Sequence, residues 1–227
     1  MQADGKKNKE AKEFMSERQL WILLACVSVI GILAALLLPV TSGPDRRYNK
    51  ETAMATMSHV EAAIYAYQTE YGKMPTGYES SLDRRSDFTF GTAGTGSESR
   101  VQNPGDGYQA NNSEVMAVLM AFTTFRNGQA TVNRDHRRNP KRIVFLEAKL
   151  TQGSRSPGIG DDGVYRDPWG NPYIITLDVN GDGFCEDPLY GKVRQKVFVW
   201  SFGPDARADL SLKPGEGVNQ DNITTER

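Results

Sequence analysis

Residues 20–40 read LWILLACVSVIGILAALLLPV, an apolar run without one charged side chain. At about 1.5 Å rise per residue, a helix of that length reaches about 31 Å, the thickness of a bilayer's hydrocarbon layer. In lipid, a lone segment satisfies its backbone polar groups only as a helix. The run therefore predicts a single membrane-spanning helix over residues 18–41, with nearly all of the remaining chain on one side. The apolar core of a secretory signal is shorter, about 7–15 residues, and ends at a small-residue cleavage site. Thr41-Ser42-Gly43-Pro44 is no such site, so the span is expected to be retained.

Lys6, Lys7, Lys9, Lys12 and Arg18 precede the run, whereas Arg46, Arg47 and Lys50 follow it. The excess on the first side places the N-terminus in the cytoplasm and the bulk of the chain outside, in a periplasm. Residues 1–17 are polar and lysine-rich and read as a disordered leader. The formal net charge of -1 gives no global attraction to nucleic acid. Cys26 lies inside the span and Cys185 far from it, so the two are not expected to pair, and no zinc spacing occurs. His59 and His136 are the only histidines, and neither belongs to a recognisable catalytic constellation. The expectation is a protein that is not an enzyme.

Residues 42–75 read as an amphipathic helix that starts at Pro44. Ala53, Met57, Val60, Ile64, Tyr67 and Tyr71 recur at alternating spacings of four and three, which makes one apolar stripe, and Gly72 supplies the stop. Residues 76–111, rich in Gly, Ser, Thr, Asn and Asp, read as a loop-rich insertion. Its GTAGTG stretch is no phosphate loop, because no Lys-Ser or Lys-Thr follows it. Residues 112–205 form the head. Asn112 or Ser113 caps a second helix expected over about 113–126, with Val115, Met116, Leu119, Phe122 and Phe125 on its apolar face. The basic run RDHRRNPKR at 134–142 reads as a solvated loop, with an acidic partner as the other reading. Nucleic acid is disfavoured because no aromatic residues interleave the cations. Residues 143–150 are apolar and fit helix or strand. Residues 173–177 and 193–202 read as strands of an antiparallel hairpin or meander. Residues 206–227 lose apolar periodicity and are expected to be a flexible tail.

Between those strands lies DVNGDGFCED, residues 178–187. It matches the opening of a calcium loop: Asp178, Asn180 and Asp182 place oxygens at every second residue, Gly183 turns the chain, and Phe184 offers its carbonyl. Glu186 stands where a direct or water-mediated ligand belongs. Leu189 occupies the place of the bidentate glutamate, leaving Asp187 as the substitute. The same letters also fit an Asx-rich hairpin turn without calcium, since Asp-Gly is itself a turn signal.

Two stretches carry a resemblance. GILAALLLP at 31–39, running into the amphipathic helix that ends YQTEYGKMP at 67–75, is one, and DPWGNP at 167–172 is the other. Together they resemble type IV pilins and type II secretion pseudopilins, most of all the major-pseudopilin-like proteins. The resemblance implies an α+β fold, in which a long N-terminal helix, half membrane span and half amphipathic, packs on a small antiparallel β-sheet. It implies a structural subunit of a secretion or pilus-like filament in the bacterial inner membrane. The implied partners are other pilin or pseudopilin subunits, inner-membrane assembly proteins and lipid. Calcium in the family's late loop would map to Asp205 and Asp209. The chain departs from the family pattern at the processing site. Glu17 stands where the family's peptidase cuts after glycine, Arg18 replaces the phenylalanine, and Ile22 replaces the glutamate that docks a neighbouring subunit. These departures imply an uncut leader and a minor or unprocessed subunit. The alternative is a single-pass, membrane-tethered periplasmic binding module that does not polymerise.

Overall fold

The computed structural model describes residues 18, 21–23, 26–28, 44–76, 87–91, 101–102, 108–153 and 155–225. The chain forms two compact units, Met1–Arg47 and Tyr48–Arg227. In the first, the described residues between 18 and 28 are helical, and Trp21, Ile22, Leu23 and Val27 are exposed there. The leader at 1–17 and most of the span at 18–41 lie outside the described residues. Among the described residues no helix is long and apolar enough to cross a membrane.

The second unit mixes helix and sheet. Helix α1, Pro44–Tyr71, follows the predicted stripe: Ala53, Met57, Val60, Ile64 and Tyr67 have no exposed surface. It stops where expected, with the Gly72 amide donating to the Gln68 carbonyl at 2.8 Å and Pro75 shortly after. Helix α2 is Ser113–Leu119, shorter than the expected 113–126. Residues 122–131 instead fold back as a turn, with Thr124 bridging to Ala130. Asn112 precedes α2 but does not cap it. Its amide reaches across the chain instead, donating to the Tyr165 and Tyr173 carbonyls while its Oδ1 accepts the Tyr165 amide.

Among the described residues, eleven short strands complete the unit: β1 Phe88–Phe90, β2 Val101–Gln102, β3 Tyr108–Ala110, β4 Gly158–Ile159, β5 Tyr165–Arg166, β6 Ile174–Leu177, β7 Cys185–Asp187, β8 Gly191–Val193, β9 Val197–Ser201, β10 Ala208–Asp209 and β11 Ile223–Thr224. The main sheet has the order β11-β9-β6-β1-β3. Four of its strands form an antiparallel ladder, and β3 joins β1 in parallel. The expected pairing of the 173–177 and 193–202 stretches is present, with Ile174 opposite Trp200 and Leu177 opposite Val197. Residues 143–150 are neither helix nor strand; only Leu150 bridges, to Ile159. The described parts of the 76–111 insertion are not loop alone, since they supply β1, β2 and β3.

All five β9 residues are buried, because the sheet is covered on both faces. Val197 and Val199 join Ile175, Leu177 and the α1 stripe in one core, while Phe198 and Trp200 join Ile174, Cys185, Val193 and Phe202 in another. This is why VFVWSF reads as a continuous apolar run rather than an alternating one. Each large side chain buried there contributes roughly 1.5–3 kcal/mol.

The tail expected to be flexible at 206–227 is ordered through its described residues, to 225. Ile223 and Thr224 pair with Ser201 and Trp200, closing the β9 edge, and the Thr225 hydroxyl donates to the Glu61 carboxylate on α1. Asn219 is buried and gathers the intervening chain: its Oδ1 accepts the Asp209 amide, and its Nδ2 donates to the Asp209 carbonyl at 2.8 Å. An apolar-periodicity reading misses such a segment because side-chain amides, not an apolar stripe, hold it.

Candidate functional site

The 178–187 loop grows from the end of β6 and returns through β7. The Asp178 amide donates to the Lys196 carbonyl at 3.0 Å, which fixes the loop's root against the start of β9. Within the loop the carboxylates turn inward onto amides. Asp178 Oδ1 accepts from Gly181 at 2.6 Å and Asp182 at 3.1 Å, and its Oδ2 accepts from Gly183 at 2.9 Å. Asn180 Oδ1 accepts the Asp182 amide at 2.8 Å, and Asp182 Oδ1 accepts the Phe184 amide at 3.0 Å. Gly183 holds a φ of +87° with open space around it, so backbone freedom and not crowding demands glycine there.

Asp87 lies more than ninety residues earlier yet clamps both ends of this loop. Its Oδ1 accepts the Val179 amide at 3.2 Å and its Oδ2 the Glu186 amide at 2.7 Å. Burial, and secondarily the neighbouring Asp178 charge, holds its carboxyl above the ordinary range. Lys192 covers the outside, 3.4 Å from Asp182 Oδ2 and 4.2 Å above the Phe184 ring centre. Sequence reading names neither residue, because nothing local to the loop points to them.

The six expected calcium ligands divide. Asp178, Asn180, Asp182 and Phe184 stay in the loop and Glu186 is exposed, whereas Asp187 turns into the interior. Its Oδ2 accepts from the Thr176 hydroxyl at 2.6 Å and from Trp200 Nε1 at 3.1 Å. Its Oδ1 accepts the amides of Leu189 at 2.9 Å and Tyr190 at 3.0 Å. Burial pushes its carboxyl upward. Calcium takes six to eight oxygens, commonly with a bidentate carboxylate closing the loop. Here Leu189 is buried and apolar at that place, and Lys192 already neutralises Asp182. The donor set does not complete a calcium shell. Each late-loop candidate accepts an amide of its own local turn. Asp205 Oδ1 accepts the Arg207 amide at 2.9 Å, and Asp209 Oδ1 accepts the Ser211 amide at 2.9 Å. Of the processing pair, Arg18 is helical and exposed, and Glu17 lies outside the described residues.

Beneath the loop, Cys185 is fully buried, with its thiol donating to the Thr176 carbonyl at 3.4 Å. Burial, reinforced by the nearby Asp87 and Asp178 charges, raises the thiol far above its ordinary range. Such a sulfur stays protonated and is a poor nucleophile.

The DPWGNP stretch is a second aspartate-led turn. Asp167 has no exposed surface; its Oδ1 accepts the amides of Trp169 at 2.9 Å and Asn171 at 2.8 Å. Its Oδ2 accepts the Ser201 hydroxyl at 2.5 Å, at the end of β9. Asn171 Nδ2 adds a bond to the Gly203 carbonyl at 2.8 Å. Burial pushes the Asp167 carboxyl up to about 6. Gly170, at φ +84°, leaves room for the Arg155 carbonyl, which a Cβ would meet at 2.2 Å. Trp169 is half-buried against the core that contains the α1 stripe.

The basic 134–142 run is a loop, as expected, with a short, irregular 3-10 turn at Arg134–His136, and side chains tie it down. The far end of α1 holds it: the Tyr67 hydroxyl donates to the Arg138 carbonyl at 2.6 Å, and the Tyr71 hydroxyl to Asn139 Oδ1 at 2.8 Å. Desolvation raises Tyr67 to about 12, so it remains a donor. Asn139, fully buried, also donates to the Val118 and Ile143 carbonyls. Buried Asn133 accepts the amides of Arg138 and Asn139. Asp135, His136 and Arg142 all have φ near +57°. Each such non-glycine residue carries a cost of about 1–2 kcal/mol.

An apolar groove of about 430 Å³ lies between the 122–131 turn and the β4–β5 hairpin, lined by Phe122, Phe125, Leu150 and Ile159, with Arg126 at its rim. Among the described residues, no group of three or more His, Cys, Asp or Glu side chains is placed to hold a metal. Comparisons of the chain with protein-family models, with curated proteins and with solved structures return no match.

Proposed function

We propose that this chain is a structural, pseudopilin-like subunit of a type II secretion or type IV pilus-like filament. In this reading the 18–41 stretch spans the bacterial inner membrane and continues into α1 as one long helix, with the leader cytoplasmic and the head periplasmic. What supports the proposal is the order along the sequence: an uncharged stretch at 20–40 is followed by a helix whose later turns are a core seam, Ala53 to Tyr67 holding the sheet, while Tyr48 near its start is 68% exposed. Exposed Trp21, Ile22, Leu23 and Val27 fit a surface made for lipid or for neighbouring helices. The DPWGNP turn, tied to the end of β9 through Ser201, is compatible with a head that serves as an assembly unit. An amine-reactive cross-linker applied to membranes carrying the full chain tests the proposal. A ladder of regularly spaced multimers is expected; monomer alone at every cross-linker concentration counts against it.

One feature favours a second reading, a tethered periplasmic module that stays unprocessed and does not polymerise. Ile22 stands where the family's docking glutamate would be, and Glu17-Arg18 replaces the cleavage site. The intact mass of the extracted protein bears on processing. Retention of residues 1–17 is expected under either reading, and the ladder then separates the two.

A further inference from the structure

The 134–142 loop combines features that a solvated loop does not require. It carries five cationic side chains, Arg134, Arg137, Arg138, Lys141 and Arg142, against one carboxylate, Asp135. Arg134, Arg137, Lys141 and Arg142 are exposed. Lys141 pairs with Glu70 and Arg134 lies 3.6 Å from Asp135, while Arg137 and Arg142 have no carboxylate partner among the described residues. The backbone that presents them is strained at Asp135, His136 and Arg142, three of the five non-glycine residues with positive φ among the described residues. His136 Nδ1 in the loop and Asn133 Nδ2 just before it are buried polar atoms with no partner among the described residues. Strain held in place by surrounding packing clusters where a surface is used.

We propose that this loop is a docking surface for a carboxylate-rich face of a different protein. The chemistry separates it from other polyanions. Tyr67, Tyr71 and Phe145 pack ring against ring, with centroids 4.7–6.0 Å apart, so they offer no platform for stacking bases. The loop lies about 30 Å along α1 from Tyr48, beyond the reach of a lipid surface at that end of the helix. A second copy of this chain is a poor fit as well. Its acid-rich 178–187 segment buries Asp178 and Asp187 and turns Asp182 to Lys192. Arginine suits a carboxylate face because its fork can bind both oxygens at once.

The proposal goes beyond filament assembly and is tested apart from it, by binding of poly-L-glutamate to the full-length chain in an uncharged detergent. Saturable binding that weakens steeply with salt is expected. Arg137→Glu with Arg142→Glu should lower affinity at least about tenfold, and Arg137→Lys with Arg142→Lys should keep it within about threefold. Arg142→Gly removes both a cation and a strained φ, so binding should fall while the melting temperature holds or rises. The proposal is overturned if wild type does not bind, if the double glutamate variant binds as well as wild type, or if single-stranded DNA or anionic vesicles bind more tightly than poly-L-glutamate. Retention of the cross-linked ladder in the double glutamate variant would show that any loss of binding is not a loss of assembly.

Discussion

Asp167 and Asp178 both open turns by accepting amides two to five residues ahead, yet they sit in the molecule differently. Asp167 is sealed, and its second oxygen takes a hydroxyl from Ser201 on the neighbouring strand. Asp178 uses both oxygens on its own loop, and a distant carboxylate, Asp87, ties that loop to the head. The first turn is a weld between two parts of the sheet. The second is a self-closing cap whose amides can exchange a lost acceptor for water. The same residue type in similar local grammar therefore carries different energetic weight, set by whether solvent can reach the amides it would release.

That contrast can be broken most directly by truncating the two aspartates. Asp167→Ala leaves two amides and a hydroxyl without their acceptor in a dry place and should cost on the order of 3 kcal/mol or more in urea unfolding. Asp178→Ala should cost only about 1 kcal/mol, because Asp178 is buried but two of the amides it would release, at Gly181 and Asp182, belong to exposed residues that water can reach. Equal costs would erase the distinction.

A pH series sharpens it. The Asp167 carboxyl stands at about 6 in the fold against an ordinary 3.8. Between those values the native state holds more protons than the unfolded chain, so the contribution is full below about pH 4 and is lost as pH rises through 6. The gap corresponds to on the order of 2–3 kcal/mol. Asp87 and Asp187 are also shifted upward and act in the same direction. Stability measured from pH 4 to 7 should fall with rising pH. Asp167→Asn, which keeps an oxygen for the amides and can donate to Ser201, should flatten much of the slope.

Asp87→Ala comes next, at about 1–2 kcal/mol for two released amides. Hydrogen exchange should quicken at Val179 and Glu186 and leave the Asp167 turn protected. The smallest effect is calcium. At about 1 mM, a level that fills weak extracellular sites, the melting temperature should move by less than about 1 °C. A rise of several degrees, abolished by Asp182→Ala, would make the cap a metal loop after all.

Local periodicity and local turns were legible in the residues. The α1 stripe from Ala53 to Tyr67, the Gly72 stop and the pairing of the 173–177 and 193–202 stretches needed only neighbours a few positions apart. What escaped was long-range and polar. Asn112 looked like a cap and instead bridges Tyr165 and Tyr173, and Asp187 looked like a loop ligand and instead anchors Trp200. Residues 206–225 looked frayed because Asn219 and a short edge strand, not an apolar stripe, order them. A side-chain amide can satisfy several backbone groups at once, and its partners leave no spacing signature in the chain.

The burial of Cys185 gives the head a built-in stopwatch. A sealed, protonated sulfur cannot take part in thiol exchange, so a folded head can sit among oxidants without forming mixed disulfides. Only a head that has opened presents it. Alkylation of Cys185 under native conditions, read at that site because Cys26 is exposed and reacts without any opening, therefore times the opening of the second core.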